Sequence, residues 1–152
     1  MCGLRDANSS EFDPRCKQCV IDILPEQKLI EGLGGNMRLG GKDIELKSDT
    51  LASKLFNNAT QIRLRFRHRY EVDPKFVPIL EEHGMTFSGK HPTQPIMQIL
   101  ELGQDAHPYF IGTQAHPELT SRPLRPQPMF MGLIQAAMNH AESRERRQAQ
   151  VV

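Results

Sequence analysis

Residues 61–70 alternate strictly between arginines and apolar or ring-bearing side chains, reading Gln-Ile-Arg-Leu-Arg-Phe-Arg-His-Arg-Tyr. Successive side chains of a strand point to opposite faces, so a period of two gathers each set on one face. A helix would mix the two sets around its circumference. The stretch therefore predicts a β-strand with one buried face. Its other face, which is expected to meet solvent or a partner, carries Arg63, Arg65, Arg67 and Arg69.

Shorter apolar or alternating runs predict further strands wherever glycine, proline, asparagine or aspartate bounds them. They cover residues 20–24, 85–89, 96–102 and 109–114. The alternating runs 37–40 and 44–47 predict a β-hairpin that turns through Gly40 and Gly41. Residues 1–18 are polar, contain Pro14, and predict no regular element.

Three helices are expected between these strands. Ser48-Asp49-Thr50 is a candidate cap for a helix over 51–56, and Asp73-Pro74 begins a helix over 74–83. Pro128 begins the longest one, whose apolar residues recur with the helical period and predict a buried stripe. That stripe consists of Phe130, Leu133, Ile134, Ala137, Met138 and Ala141. We expect residues 1–142 to fold and the basic tail 143–152 to fray.

Composition excludes several classes of function. The chain has 152 residues and a formal net charge of +1, which gives no general affinity for nucleic acid or an anionic membrane. It contains no apolar run of bilayer length and no signal peptide. Three cysteines, an odd number, favour a reducing, cytoplasmic location over a disulfide scaffold.

The residues with the clearest chemical pattern are His116-Pro117-Glu118, directly after a predicted strand. In an extended segment, residues i and i+2 point the same way, and Pro117 favours extended geometry at the residue before it. His116 and Glu118 can therefore form a general base and the group that orients it. This spacing alone is short enough to arise by chance.

The surrounding sequence makes the pattern more specific. Residues 112–118 (Gly-Thr-Gln-Ala-His-Pro-Glu) resemble the His/Glu segment of class I glutamine amidotransferase domains. Three further stretches resemble the CTP synthase family in particular: Asp-Ala-Asn-Ser-Ser-Glu-Phe at 6–12, Leu-Gly-Gly-Asn-Met-Arg-Leu-Gly at 33–40 and Arg-His-Arg-Tyr-Glu-Val at 67–72. The resemblance is collinear and continues into the last helix, at 128–137.

This resemblance implies an α/β fold, namely the strand-rich C-terminal portion of a flavodoxin-like amidotransferase domain. It implies a ligase that hydrolyses glutamine through a Cys-His-Glu triad. His116 would be the general base and Glu118 its orienting carboxylate. Glu11 is similar to the glutamate that holds the α-amino group of glutamine, and Arg69 to the arginine that meets its α-carboxylate. A zwitterionic substrate requires such opposite charges.

For the whole enzyme, the family implies conversion of UTP, ATP and glutamine to CTP in a homotetramer. ATP and magnesium would act in a synthetase domain that receives ammonia from the amidotransferase domain. In this chain we find no P-loop and predict no cofactor and no metal site.

The family's nucleophile lies in a Gly-x-Cys-x-Gly segment upstream of the Ala-Asn-Ser motif, and this chain does not contain that segment. Cys2-Gly3 imitates only part of it, without a preceding strand, and favours an exposed thiol. Cys16 and Cys19 lack the two further ligands that zinc would need, which favours one loop thiol and one buried thiol.

Three hypotheses follow. The chain is the His/Glu arm of a CTP synthase and is inactive alone. Alternatively, it is a non-catalytic module that docks on a synthetase partner. A fragment of another class I amidotransferase would share His116 and Glu118, but would not be expected to share the motifs at 33–40 and 67–72.

Overall fold

The computed structural model describes residues 2–23 and 38–149. Within these ranges the chain is rich in strands, which form two sheets. The strands are β1 (Ala7–Ser9), β2 (Gln18–Asp22), β3 (Arg38–Leu46), β4 (Gln61–His68), β5 (Glu71–Val72), β6 (Met85–Lys90), β7 (Met97–Leu102) and β8 (Ile111–Thr113). The helices are α1 (Leu51–Leu55), α2 (Val77–Glu82) and α3 (Pro128–Ala149), with 3-10 turns at Pro74–Phe76 and Pro117–Leu119.

The larger sheet is antiparallel and has the order β4-β3-β6-β7-β8. Strand β4 confirms the alternation expected from the sequence, because its apolar face lies inward and its arginines are exposed. Phe66 and Leu64 join a core cluster with residues of β3, β7 and α1. Burying side chains of this size is the main source of stability in such a sheet.

The predicted β-hairpin at Gly40-Gly41 is wrong. Strand β3 runs straight through both glycines and pairs antiparallel with β4 along most of its length, with Gly41 opposite Arg65. The ladder hydrogen bonds to β4 outweigh the local turn preference of two glycines. Gly41 also leaves room for the Arg63 guanidinium, which donates to the Gly41 carbonyl at 2.8 Å.

The smaller sheet has the order β1-β2-β5, in which β1 is parallel and β5 antiparallel to β2. Strand β2 corresponds to the strand predicted at 20–24, although residue 24 lies outside the described ranges. Strand β1 lies in a segment expected to be irregular. Its three residues, Ala-Asn-Ser, lack the apolar pattern that predicts a strand from sequence. The segment is extended because it forms backbone hydrogen bonds with β2.

Helix α1 is held against the larger sheet by a buried carboxylate. The predicted cap stretch Ser48-Asp49-Thr50 is confirmed, and Thr50 is its capping residue, since its side chain accepts from the Ser53 backbone N–H. The Glu101 oxygens of β7 accept from the Leu51 and Ala52 backbone N–H groups at 2.7 and 3.0 Å. The free N–H groups and partial positive charge of a helix N-terminus favour such a carboxylate.

Helix α3 departs from the prediction in two ways. It continues through Ala149, past the expected end at residue 142, and the stripe expected to be buried is largely exposed. Its exposed large apolar side chains are Phe130, Met131, Leu133, Ile134 and Met138. The first turns of α3 pack on α1 and on the loop before β8, through buried Met129 and through Gly132 beside Leu55 and Tyr109. The helical period of the apolar residues was predicted correctly, but the described residues do not cover the apolar face of α3.

No helix in the described part of the chain is long and apolar enough to cross a membrane.

Glu101→Gln should lower the free energy of unfolding by about 1–3 kcal/mol, because an amide replaces a charged acceptor and turns a donor toward a buried N–H. Urea denaturation followed by circular dichroism measures this change. Glu45→Gln, at an exposed glutamate of β3, is the matched control and should change stability by less than about 0.5 kcal/mol. Equal effects for both variants would contradict the anchoring role of Glu101.

Candidate functional site

His116 and Glu118 lie in direct contact. The Nδ1 of His116 is 2.7 Å from Oε1 of Glu118, with the two side chains 34% and 57% exposed. The backbone differs from the extended form expected from the sequence, because residues 117–119 form a 3-10 turn that begins after His116. Pro117 fits the first position of this turn since its φ is already suitable. The turn still brings the carboxylate back to the ring.

The contact determines which ring nitrogen of His116 can act as a base. A carboxylate accepts hydrogen bonds, so in the neutral ring Nδ1 is the donor and Nε2 is the nitrogen with the free lone pair. The hydrogen bond from His116 lowers the pKa of the Glu118 carboxyl, and the backbone N–H of Glu118 and the charge of Arg67 lower it further. Glu118 is therefore ionised at neutral pH, as an orienting carboxylate must be.

Strand β4 fixes the position of this pair. The His116 backbone N–H donates to the Arg65 carbonyl at 2.8 Å, and Ala115 forms an isolated bridge with Phe66. Phe66 is 2% exposed and belongs to the core, so the base is attached beside a core residue of the larger sheet. The Thr113 hydroxyl accepts from the Ala115 backbone N–H and bends the chain as it leaves β8.

Arg69 is exposed in the two-residue link between β4 and β5. A buried ion cluster holds the ends of this link. The fully buried Glu71 carboxylate lies 2.8 Å from Nε2 of His68 and 3.2 Å from Nε of Arg38. Gln114, two residues before His116, donates from its side chain to the Tyr70 carbonyl at 3.1 Å. The link that carries Arg69 is thus tied to the segment that carries the base.

Glu11 is exposed in the turn that follows β1. Its position relative to Arg69 follows from the register of the smaller sheet. Ser9, at the end of β1, pairs with Ile21, while Glu71, at the start of β5, pairs with Asp22. The turn with Glu11 and the link with Arg69 therefore leave the sheet at the same end, the carboxyl end of β2. Glu11 and Arg69 are far apart in the sequence, so only the strand pairing shows that their segments leave at the same end.

The residues that support the site were not predicted from the sequence, namely Arg38, His68, Glu71 and Gln114. Among them Glu71 gave the least signal, because a glutamate is rarely buried unless it is paired. A histidine three residues before a glutamate, next to a strand end, was the only local hint. The partner Arg38 is distant in sequence, and only the pairing of β3 with β4 brings it close.

The cysteines do not behave as expected. Cys16 and Cys19 form a disulfide, which corrects the interpretation as one loop thiol and one buried thiol. The turn before β2 brings their Cα atoms to 5.4 Å, a separation that sequence spacing could not give. Cys2 is a free, half-buried thiol.

Residues 2–23 and 38–149 contain no group of three His, Cys, Asp or Glu side chains arranged to hold a metal.

Comparison with known proteins gives a consistent result. Residues 18–136 match the family model described as glutamine amidotransferase class-I. The chain is 49% identical over 138 residues to a CTP synthase of Methanocaldococcus jannaschii and 45% identical over 143 residues to one of Thermobifida fusca. Each alignment covers 91% of this chain, which spans only about a quarter of those relatives, 25% and 26% of their lengths.

A solved structure is similar as well. It is titled the glutaminase domain of Trypanosoma brucei CTPS with bound acivicin, and it matches with a TM-score of 0.82 and 27% identity. The match covers 91% of this chain and 53% of that chain. It confirms the predicted fold class, a portion of a mixed α/β, strand-rich amidotransferase domain.

His116→Ala should raise the pKa of the Glu118 carboxyl toward the ordinary glutamate range, because the hydrogen bond that favours the ionised form is lost. Carboxyl carbon NMR during a pH titration measures this. In the unsubstituted chain the pair's stabilisation is present above the ordinary glutamate pKa and is lost as pH falls through the lowered pKa. His140→Ala, on exposed α3, is the control, and an equal pKa change there would contradict the assignment.

Proposed function

The chain belongs to the class-I glutamine amidotransferase family, and on that premise we propose that it is part of the glutamine-hydrolysing domain of a CTP synthase. The observation that carries the proposal is the contact of 2.7 Å between His116 and Glu118, which leaves Nε2 of the ring as a base. Both residues lie within the part of the chain that matches the family model. The relatives named CTP synthase favour this member of the family over others.

In the proposed reaction, Nε2 of His116 accepts the proton of a cysteine thiol supplied by a segment outside this chain. The resulting thiolate attacks the side-chain amide carbon of glutamine, and the imidazolium then gives its proton to the departing ammonia. Glu118 holds the ring in the required tautomer and stabilises the positive charge that develops on it. The chain alone is therefore proposed to be inactive.

Glutamine recognition is assigned to the two exposed charges at the carboxyl end of β2. Glu11 would accept hydrogen bonds from the substrate's α-ammonium group, and Arg69 would donate to its α-carboxylate. The common end from which their segments leave the smaller sheet supports this pairing. The buried cluster around Glu71 and the bond from Gln114 limit the movement of the link with Arg69.

The complete enzyme would use the released ammonia to convert UTP to CTP with ATP. ATP and magnesium are assigned to a synthetase part outside this chain. A homotetramer and a cytoplasmic location belong to the same proposal and rest on the relatives named CTP synthase.

A second candidate function is a non-catalytic module that docks on a synthetase partner. The exposed apolar face of α3 favours it, because five large apolar side chains on one helix are costly to leave in water. The two functions differ in whether the chain contributes a base to glutamine hydrolysis.

To test the base, the segment with the family's Gly-x-Cys-x-Gly motif from the Methanocaldococcus jannaschii relative would be fused before this chain, and glutamate release measured. The fusion should hydrolyse glutamine, and His116→Ala should lower kcat by about 10²–10⁴-fold. His140→Ala is the matched control and should have no effect. The chain without the fused segment should show no turnover; turnover that Cys2→Ala abolishes would contradict the need for an external nucleophile. Full activity of the His116→Ala fusion would favour the docking module.

Arg69→Ala in the same fusion should raise KM for glutamine roughly tenfold to hundredfold, which corresponds to the loss of a charged hydrogen bond. Steady-state kinetics should show a smaller change in kcat. Arg63→Ala is the matched control, since Arg63 is an exposed arginine of β4 that pairs with Asp43 instead. Similar KM values for both variants would remove Arg69 from the proposed site.

A further inference from the structure

The cysteine pair at the start of β2 has no role in the proposed glutamine chemistry. Cys16 ends a turn, with its backbone N–H donating to the Asp13 carbonyl at 3.0 Å, and Cys19 is the second residue of β2. Their Cα atoms are 5.4 Å apart, a separation that a disulfide accepts without backbone movement. Both residues are partly exposed, so reagents in solution can reach them.

The geometry also suits the reduced pair. The Cys19 sulfur lies 2.9 Å from the Cys16 carbonyl oxygen. A disulfide sulfur carries no hydrogen, so this contact becomes a hydrogen bond only when Cys19 is a thiol. On reduction the Cys19 thiol would therefore have an acceptor within the same turn.

The depression beside Cys16 is lined by charges of both signs. Cys16 lines an open surface depression together with the exposed cations Arg15 and Lys17. The attacking species in thiol–disulfide exchange is a thiolate anion, which positive charges attract. Asp6 and Asp13 line the same depression, so its formal charges balance, and exposure of the pair is what gives a small thiol access.

We propose that Cys16 and Cys19 form a reversible dithiol–disulfide site that exchanges with small thiols such as glutathione and controls the order of the turn that carries Glu11. An incoming thiolate attacks one sulfur, the S–S bond breaks, and the other sulfur leaves and takes up a proton. A second thiol then resolves the mixed disulfide. In sum, the protein disulfide and two small thiols give two cysteine thiols and one small-molecule disulfide.

The coupling to Glu11 follows from how the turn is held. At its start, the Ser10 backbone N–H donates to the Ile21 carbonyl and the Ser10 hydroxyl to the Asp22 carboxylate, at 2.9 and 2.6 Å. At its end, the disulfide fastens Cys16 to β2. After reduction Cys16 is joined to β2 only through the backbone of Lys17, so the turn loses the restraint of the cross-link and keeps the bonds of Ser10.

The first experiment equilibrates the unsubstituted chain in glutathione buffers of increasing oxidised fraction, without denaturant, then alkylates free thiols and counts them by mass spectrometry. We expect three alkylated cysteines under reducing conditions and one, Cys2, under oxidising conditions, with reversal in either direction. Trypsin cleavage after Lys17 identifies the cross-link, because the two resulting peptides stay joined only in the disulfide form. Three alkylated thiols at every ratio, or a pair reduced only in denaturant, would overturn the proposal.

The second experiment compares amide hydrogen exchange in the two states. Exchange at the Phe12, Asp13 and Cys16 amides, which are all bonded within the turn, should accelerate at least tenfold on reduction. Amides paired between β3 and β4 are the internal control and should not change. Cys19→Ser should hold the turn in its fast-exchanging form at every glutathione ratio and leave Cys16 to gain one glutathione. Equal exchange of the turn in both states would refute the coupling to Glu11.

Discussion

The pairing of β4 with β3 is the interaction on which the rest of this structure depends. One face of β4 supplies Phe66 to the core, and the backbone of the neighbouring Arg65 accepts the hydrogen bond that positions His116. The far end of β4 continues into the link with Arg69. A one-residue slip in this ladder would exchange the apolar and arginine faces, so burial of Phe66 and Leu64 fixes the register strongly. His116, the candidate base, and Arg69, the candidate partner for the α-carboxylate of glutamine, are thus both attached to β4.

Two buried glutamates complete this framework by different means. Glu101 meets the free N–H groups of a helix, while Glu71 meets the side chains of His68 and Arg38. Removing one partner of a buried charge costs far more than the pair itself contributes, because the remaining charge stays desolvated. Each glutamate therefore limits the arrangements that its neighbours can adopt. Glu101 fixes α1 on the larger sheet, and Glu71 fixes the link with Arg69.

The exposed face of α3 and the family comparison agree with each other. The chain spans 53% of the matched glutaminase structure and about a quarter of its relatives named CTP synthase. An amphipathic helix with five exposed large apolar side chains is typical of an element that packs against further protein. The helical period in the sequence could reveal that this face avoids water, but could not reveal what covers it.

The sequence by itself determined the alternating strand β4, a helix cap within residues 48–50, the His116–Glu118 pair and, through resemblance, the family. These features depend on neighbours in the chain, and local periodicity and motifs report them directly. Only the tertiary structure decided that β3 passes through Gly40 and Gly41, that Arg38 reaches Glu71, and that the segments of Glu11 and Arg69 leave the smaller sheet at one end. These features depend on which strands pair and in which register, because partners distant in sequence supply the hydrogen bonds and the burial that outweigh local preference.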